Sequence, residues 1–255
     1  GESDEHYHIT EGSGAVPQCL ARKLKNQIYL GHALEKVIQT SSGQYQLFFT
    51  NKPMMTFDYI ICTIPFSALR KVDIQVKLPD IKRKAIAELG YGANSKLMVA
   101  LKDAIWRERH GYSGNTFTDC PFQTTWETSR GQKTSGAVLT RFTGGDVGMH
   151  SADLSLHEDA KQFMTQFEKL YPGVSQSFLE KAVRMHWPTR AYQWGSYACY
   201  LVGQFTGLRG SEGEAVGHFY FAGEHTSLLA QGYMEGAVES GERVAKEVLA
   251  ELSIG

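Results

Sequence analysis

The residues with the clearest capacity for chemistry stand near the C-terminus. There a short apolar run, His218–Ala222 (HFYFA), leads into Gly223, Glu224 and His225, and a helical pattern begins at about Gly232. A buried strand, a glycine-bearing loop and a helix N-terminus in that order leave backbone N–H groups unpaired at one place. An anion or an electron-rich heterocycle can sit against such groups, and Glu224 adds a carboxylate. Read alone, Glu224 is more often a solvated or capping loop carboxylate, and His225 reads equally as a ligand contact or a structural histidine. The four cysteines, Cys19, Cys62, Cys120 and Cys199, show no CxxC and no Cys/His ligand spacing. They read as buried free thiols of a reducing compartment, which predicts a cytoplasmic protein. His6-Tyr7-His8 is a histidine pair at a polar terminus, and no metal site is expected.

The elements that must position that loop follow from periodicity. The chain has 255 residues, 42% hydrophobic and 21% charged, enough for one large core or two smaller ones. A net charge of −1 gives no basis for binding nucleic acid or an anionic membrane surface. Its longest apolar runs, such as Tyr59–Pro65, fall far short of the ~20 residues of a membrane helix. The polar, acidic start GESDEHYHIT is unlike a signal peptide. Gln27–Leu30, Leu34–Thr40 and Tyr45–Thr50 are β-rich, with turn chemistry at Ser41–Gly43 and Asn51–Pro53. The apolar run Asp58–Ile64, ended by Pro65, predicts a strand buried on both faces of a parallel sheet.

Pro79–Glu88 reads as a short helix, and Ser95–Leu101 and Gly136–Phe142 as strands. Leu154–Tyr171 follows a helical period with Leu156, Ala160, Phe163, Phe167 and Leu170 on one stripe. Ser155 and Glu158 suit a capping box, and Pro172-Gly173 stops the helix. On the last helix, Met234, Ala237/Val238, Gly241, Val244/Ala245, Val248/Leu249 and Leu252 form the predicted apolar stripe. Glu239–Arg243 and Glu242–Lys246 are expected to pair on its solvent side.

The segment Phe219–Leu249, FYFAGEHTSLLAQGYMEGAVESGERVAKEVL, resembles the closing motif of the flavin-containing amine oxidases, the superfamily of monoamine, polyamine, putrescine and L-amino-acid oxidases. Weaker similarities fall in family order. Ile9–Leu20 (ITEGSGAVPQCL) is similar to the start of the second flavin-binding stretch, and Val37-Ile38 with Asp58–Pro65 to the strands beside the adenosine half of FAD. Tyr91–Trp106 (YGANSKLMVALKDAIW) resembles the lysine strand of the substrate domain, and His186–Tyr200 (HWPTRAYQWGSYACY) the flavin-facing aromatic segment.

The resemblance implies roles by position. Glu224 would accept from a ribityl or ribose hydroxyl of FAD, next to Gly223. Val37 would lie by the adenosine half, and backbone N–H groups at Tyr233 and Met234 would face the pyrimidine edge of the flavin. A helix N-terminus there favours the negative charge of reduced flavin. Lys96 would hold a water near flavin N5. Tyr197 and Tyr233 would sandwich the substrate amine, since electron-rich rings guide a neutral amine and attract a cationic one. Trp187 and Trp194 would pack the same wall. Ser196 stands where membrane-bound monoamine oxidases carry the flavin-linked cysteine, so FAD is expected to be bound non-covalently.

The family's GxGxxG Rossmann loop has no counterpart: Gly12-Ser13-Gly14 lacks a third glycine at the right spacing. The resemblance therefore covers the C-terminal part of such an enzyme. The expected fold is an α/β FAD-binding domain, incomplete without its N-terminal Rossmann unit, plus an α+β substrate domain with a mainly antiparallel sheet. Residues 1–75 and 206–255 would be two pieces of the first, and 76–205 the second. Uncovered strand faces predict association with itself or with the N-terminal half of the same protein. The implied activity is oxidation of an amine to an imine by FAD, with oxygen reduced to hydrogen peroxide. Two alternatives stand beside it: an L-amino-acid oxidase or related flavin desaturase, and a non-catalytic binding or assembly module on the same fold.

Overall fold

The structure is a computed structural model describing residue 7, residues 9–133 and residues 135–252. His6 and His8, and the chain end at Ile254-Gly255, lie outside the described residues.

The first helix, α1 (Ala15–Lys23), precedes a meander of three strands: β1 (Leu34–Gln39), β2 (Tyr45–Phe49) and β3 (Lys52–Phe57). Gly43 at φ +87° and Asn51 at φ +53° make its two turns, both residue types that tolerate a left-handed backbone. Pro53 falls inside β3 rather than in the turn, which is permissible because β3 is an edge strand and needs no N–H there. Gln27–Leu30 forms no strand: it meets no partner edge, and Tyr29 and Leu30 are exposed.

The chain then forms β4 (Ile60–Cys62), α2 (Phe66–Leu69) and β5 (Asp73–Gln75), which joins β1 in parallel and gives the sheet order β3-β2-β1-β5. The expected Asp58–Ile64 strand is only the three residues of β4, and Ile61 is 47% exposed, so the run is not buried on both faces. Its pairing is nonetheless parallel, with a strand from the far end of the chain described below.

After α3 (Asp80–Glu88), capped by Pro79, comes an antiparallel sheet of five strands. These are β6 (Ser95–Leu101), β7 (Thr116–Phe117), β8 (Thr124–Glu127), β9 (Ala137–Thr143) and β10 (Phe178–His186), in the order β10-β6-β9-β8-β7. In β6 the side chains alternate: Ser95, Leu97, Val99 and Leu101 are buried, while Lys96, Met98 and Ala100 on the other face are half-buried. Short helices α4 (Ile105–Glu108) and α5 (Gly145–His150) flank the sheet, and α6 (Leu156–Phe167) covers the buried face before α7 (Val174–Ser177). Ala160, Phe163, Met164 and Phe167 of α6 pack with Leu97, Val99, Trp106 and Phe122 in one apolar core. The capping box forms as expected, with Ser155 Oγ accepting from Glu158 N–H at 3.3 Å and Glu158 Oε2 from Ser155 N–H at 3.1 Å. Leu156 and Leu170, the ends of the expected stripe, are exposed, since the core ends one turn short at each end.

The chain closes with α8 (Gln204–Leu208), β11 (Phe219–Phe221) and α9 (Met234–Leu252). β11 pairs in parallel with β4, Phe219 opposite Ile60 and Phe221 opposite Cys62, and all three β11 residues are buried. Helix α9 buries Gly236, Ser240 and Val244, whereas Met234, Val238, Leu249 and Leu252 of the predicted stripe are exposed. Close approach decides the face: a Cβ on Gly236 would lie 2.2 Å from Ala230 O. The predicted acid-before-base pairs do not form either. Arg243 turns inward, donating to Phe221 O at 2.8 Å and to Gly213 O at 3.2 Å, and its ion pair is with Glu247 at 2.9 Å. Glu239 accepts from the Ser227 hydroxyl. A buried carbonyl without a donor costs about 1–3 kcal/mol, more than the few tenths a surface helix pair returns.

Under α6, Arg141 donates to Asp159 through both terminal nitrogens at 2.7 and 3.0 Å, and Arg184 reaches the same carboxylate at 3.2 Å. The Arg141 and Asp159 side chains are only 8% and 4% exposed. Removing the shared anion strands the buried Arg141 guanidinium, while the part-buried Arg184 keeps the carbonyls of Ser151 and Leu154. Asp159→Ala is therefore expected to lower the unfolding free energy by about 3–5 kcal/mol in urea titration. A loss below about 1 kcal/mol, typical of a surface pair, would contradict that account.

Candidate functional site

The site is built where β11 ends. Ala222 N–H donates to Cys62 O at 3.0 Å, which extends the parallel pairing by one bond. Gly223 then adopts φ +120°, a conformation that disfavours side chains, and its N–H donates to Ser240 Oγ of α9 at 2.9 Å. A Cβ at this glycine would stand 2.8 Å from the His225 ring. A single 3₁₀ turn, Glu224–Thr226, follows.

Glu224 reaches out of that turn and accepts from two other loops, from Ala198 N–H at 2.9 Å and from Gly232 N–H at 2.7 Å. Burial raises its pKa, and the two N–H groups partly offset that rise. His225 is buried edge-to-face against Phe66 at 4.5 Å between ring centroids, and its Nε2 has no partner among the described residues. Burial pushes its pKa down to about 4, with the charge of Lys82 acting in the same direction. Lys82 is itself buried, donating to Glu212 O at 2.7 Å with its ammonium 4.1 Å from the Phe221 ring centroid. Burial pushes it down to about 8.

Glu224 and His225 help wall a cavity of about 450 Å³ whose lining also includes Gly195, Ser196, Gly223 and Gly241. Its volume lies within the range of small-molecule sites, about 300–1,000 Å³. Two lining residues carry buried polar atoms without a protein partner, His225 Nε2 and Gln193 Oε1. At Gly241 a Cβ would meet open space. Unpaired buried polar atoms around a glycine-lined hollow suit a planar, polar heterocycle such as a flavin, which supplies both apolar faces and hydrogen-bonding edges.

The expected site residues fall into groups. Ser196, Gly223 and Glu224 line the cavity. Tyr197 is 39% exposed, and a Cβ on Gly232, which has φ +86°, would stand 3.4 Å from its ring. Tyr233 follows at once and is 57% exposed; its N–H turns into the loop and donates to Ala230 O at 3.1 Å. Met234 opens α9 with an exposed side chain.

Lys96 is not part of the cavity lining; it is Asn94, two residues upstream, that ties this strand to the site, its Oδ1 accepting from Ser196 Oγ at 2.5 Å and its carbonyl from Trp187 N–H at 3.4 Å. The Lys96 ammonium stands 5.4 Å from the Trp126 ring and 5.6 Å from the Phe142 ring. Trp194 lies under Lys71 instead, at 4.4 Å. Val37 is apart from the cavity lining, buried in β1 between Leu47 and Ile74. Sequence reasoning missed Gln193, Tyr91 and Asn94, and it missed Trp126 and Phe142 beside Lys96. Tyr91 and Asn94 carried a signal in the YGANSK stretch, and Gln193 in the HWPTRAYQWGSYACY stretch. No group of three or more His, Cys, Asp or Glu among the described residues could hold a metal ion, and no described helix is long and apolar enough to cross a membrane.

The family model for flavin containing amine oxidoreductases matches residues 1–249. The protein YobN of Bacillus subtilis (strain 168) is 30% identical over 253 residues, which cover 95% of this chain and 52% of YobN. Flavin-containing amine oxidase A of Equus caballus is 30% identical over 249 residues, 93% of this chain and 45% of the horse protein. Among solved structures, cyclohexylamine oxidase from Brevibacterium oxydans IH-35A matches with a TM-score of 0.86 at 20% identity, over 95% of this chain and 53% of the oxidase. That likeness shows the fold. The chain spans about half the length of the curated relatives it matches.

The buried ring of His225 generates a pH prediction. Its pKa is about 4 in the fold against 6.5 in the unfolded chain, so between those values the unfolded chain binds more protons. Its contribution is complete above pH 6.5 and is lost as pH falls towards 4, a change of about 2–3 kcal/mol. Denaturant titrations from pH 7.5 to 4 should therefore fall less steeply for His225→Phe than for the unsubstituted protein. Parallel curves would refute the assignment.

Proposed function

The chain belongs to the flavin containing amine oxidoreductase family, and on that premise we propose that the protein carrying it oxidises an amine to an imine while oxygen is reduced to hydrogen peroxide. The observation that carries this reading is the cavity at the end of β11, where Gly223, Glu224, Gly195 and Ser196 meet the unpartnered His225 Nε2 and Gln193 Oε1. Two electrons and two protons leave the amine, R₂CH–NH₂ becoming R₂C=NH, and both pairs end on oxygen as H₂O₂. FAD, when bound, supplies the two-electron acceptor for the amine C–H.

Ser196, Gly223, Glu224, Trp187, Tyr233 and Met234 hold the cofactor in this proposal, with Val37 beside its adenosine half. Residues 1–75 and 206–255 form the cofactor unit, and 76–205 the substrate unit. Ser196 offers a hydroxyl that cannot form a thioether, so the cofactor is held without a covalent bond. The rings of Tyr197 and Tyr233 orient the amine, and orientation alone is a large part of what such a site must supply. Lys96 holds a water for proton movement, its ammonium kept in place by Trp126 and Phe142. Tyrosine at both flanking positions favours simple amines or diamines over amino acids. Among the described residues, Glu224 is the one carboxylate in the cavity lining, and it is already engaged with backbone N–H groups.

The test uses the full-length protein and a panel of primary amines, diamines and amino acids, with peroxide as the readout. Peroxide formation with a simple amine or diamine is expected, and flavin-loaded protein giving none with any member would sink the proposal. Lys96→Met should lower kcat/KM at least tenfold while flavin content holds, because it removes a group that acts on bound substrate rather than on folding. Flavin absorbance should pass into the supernatant when the protein is denatured in acid. Flavin retained on the precipitated chain would overturn the non-covalent assignment.

A further inference from the structure

Glu224 stands between two loops that sequence alone leaves unconnected. Its own backbone is anchored on both sides: Gly223 N–H donates to Ser240 Oγ at 2.9 Å, Thr226 N–H to Gly223 O at 3.0 Å, and Ser227 N–H to Glu224 O at 3.2 Å. From that base one carboxylate oxygen takes Ala198 N–H and the other takes Gly232 N–H. Ala198 directly follows Tyr197, and Gly232 directly precedes Tyr233. The two tyrosine loops are therefore fastened to a single side chain.

Each fastening acts close to a ring. Tyr197 is held from its other side, where its carbonyl accepts from Gly92 N–H at 2.9 Å. The bond from Ala198 to Glu224 completes a two-sided grip on the backbone that carries the ring. Gly232 is the surface that the Tyr197 ring rests on, since its missing Cβ would stand 3.4 Å from Cδ2. The same peptide launches Tyr233. Fixing Gly232 N–H thus fixes the floor under one ring and the departure point of the other.

We propose that Glu224 is a positioning residue that sets the relative placement of Tyr197 and Tyr233 by accepting from Ala198 N–H and Gly232 N–H together, a role that rests on the amine-orienting reading of those tyrosines. The chemistry calls for a carboxylate. It has two acceptor oxygens and no donor, so it serves two N–H groups at once. An amide of the same shape serves one and turns its own NH₂ against the other. A shorter acid loses the reach to span both loops.

The test is Glu224→Gln in the full-length, flavin-loaded protein, with two readouts. In amide-proton exchange followed by NMR, Ala198 or Gly232, or both, should exchange at least tenfold faster, while Tyr220 and Phe221 of β11 keep their protection. In steady-state kinetics, KM for the best amine should rise at least fivefold when rates are normalised to the flavin-loaded fraction. Unchanged protection at both amides overturns the clamp. So does loss of flavin with an unaltered KM in the remaining loaded enzyme, which would leave Glu224 a cofactor contact and nothing more. An unsubstituted protein that oxidises no amine, with the same exchange changes in the variant, removes the amine reading and leaves the clamp standing. Should β11 also lose protection in Glu224→Gln, Gly232→Ala takes its place. It keeps the carboxylate, adds a methyl against the Tyr197 ring and strains a left-handed backbone. A raised KM with flavin retained is expected, and an unchanged KM overturns the proposal.

Discussion

The parallel pairing of β4 with β11 is the constraint on which the rest of the site depends. Three residues near position 60 meet three near position 220, and the loop between them contains the whole five-stranded sheet. Closing a loop of that length costs entropy that grows only slowly with length, so a short, fully buried strand can hold it. Phe219 and Phe221 supply the burial, packing with Phe66, Leu69 and Val37 in one apolar cluster. Only with that closure made does Gly223 arrive beside α9, and only then can Glu224 reach the loops at Ala198 and Gly232.

Burial also explains the electrostatics around β11. Cys62, Lys82, Glu224 and His225 all have pKa values moved towards their neutral forms, and in each case desolvation is the largest cause. Neighbours soften the effect at Lys82 and Glu224 without reversing it, whereas the charge of Lys82 deepens it at His225. Lys82 is served by the Glu212 carbonyl and the face of Phe221, and Glu224 by two backbone N–H groups.

Some of this was legible in the sequence for simple physical reasons. The alternation in Ser95–Leu101 is visible because each side chain of a strand answers to one face, and the Ser155/Glu158 box because both partners lie within one helical turn. Gly223, Glu224 and Ser196 were found through a motif rather than through physics alone. What stayed hidden depends on partners distant in sequence. Lys82 reads as a surface lysine of α3 until Glu212, 130 residues on, closes over it. Gln193 lies inside the HWPTRAYQWGSYACY stretch, but its residue type alone does not mark it out there. The face of α9 was only partly legible: Val244 and Val248 pack inward as expected, but hydrophobic count also favoured Met234, Val238 and Leu249, whereas steric approach favoured Gly236 and Ser240.

The alternation along β6 has a consequence of another kind. Leu97, Val99 and Leu101 belong to the packed interior with α6, while Lys96, Met98 and Ala100 look the opposite way. One strand thus serves two neighbourhoods without sharing a residue between them. A change at Met98 or Ala100 leaves the contacts between this strand and α6 untouched, whereas a change at Leu97, Val99 or Leu101 is felt through the whole of that core.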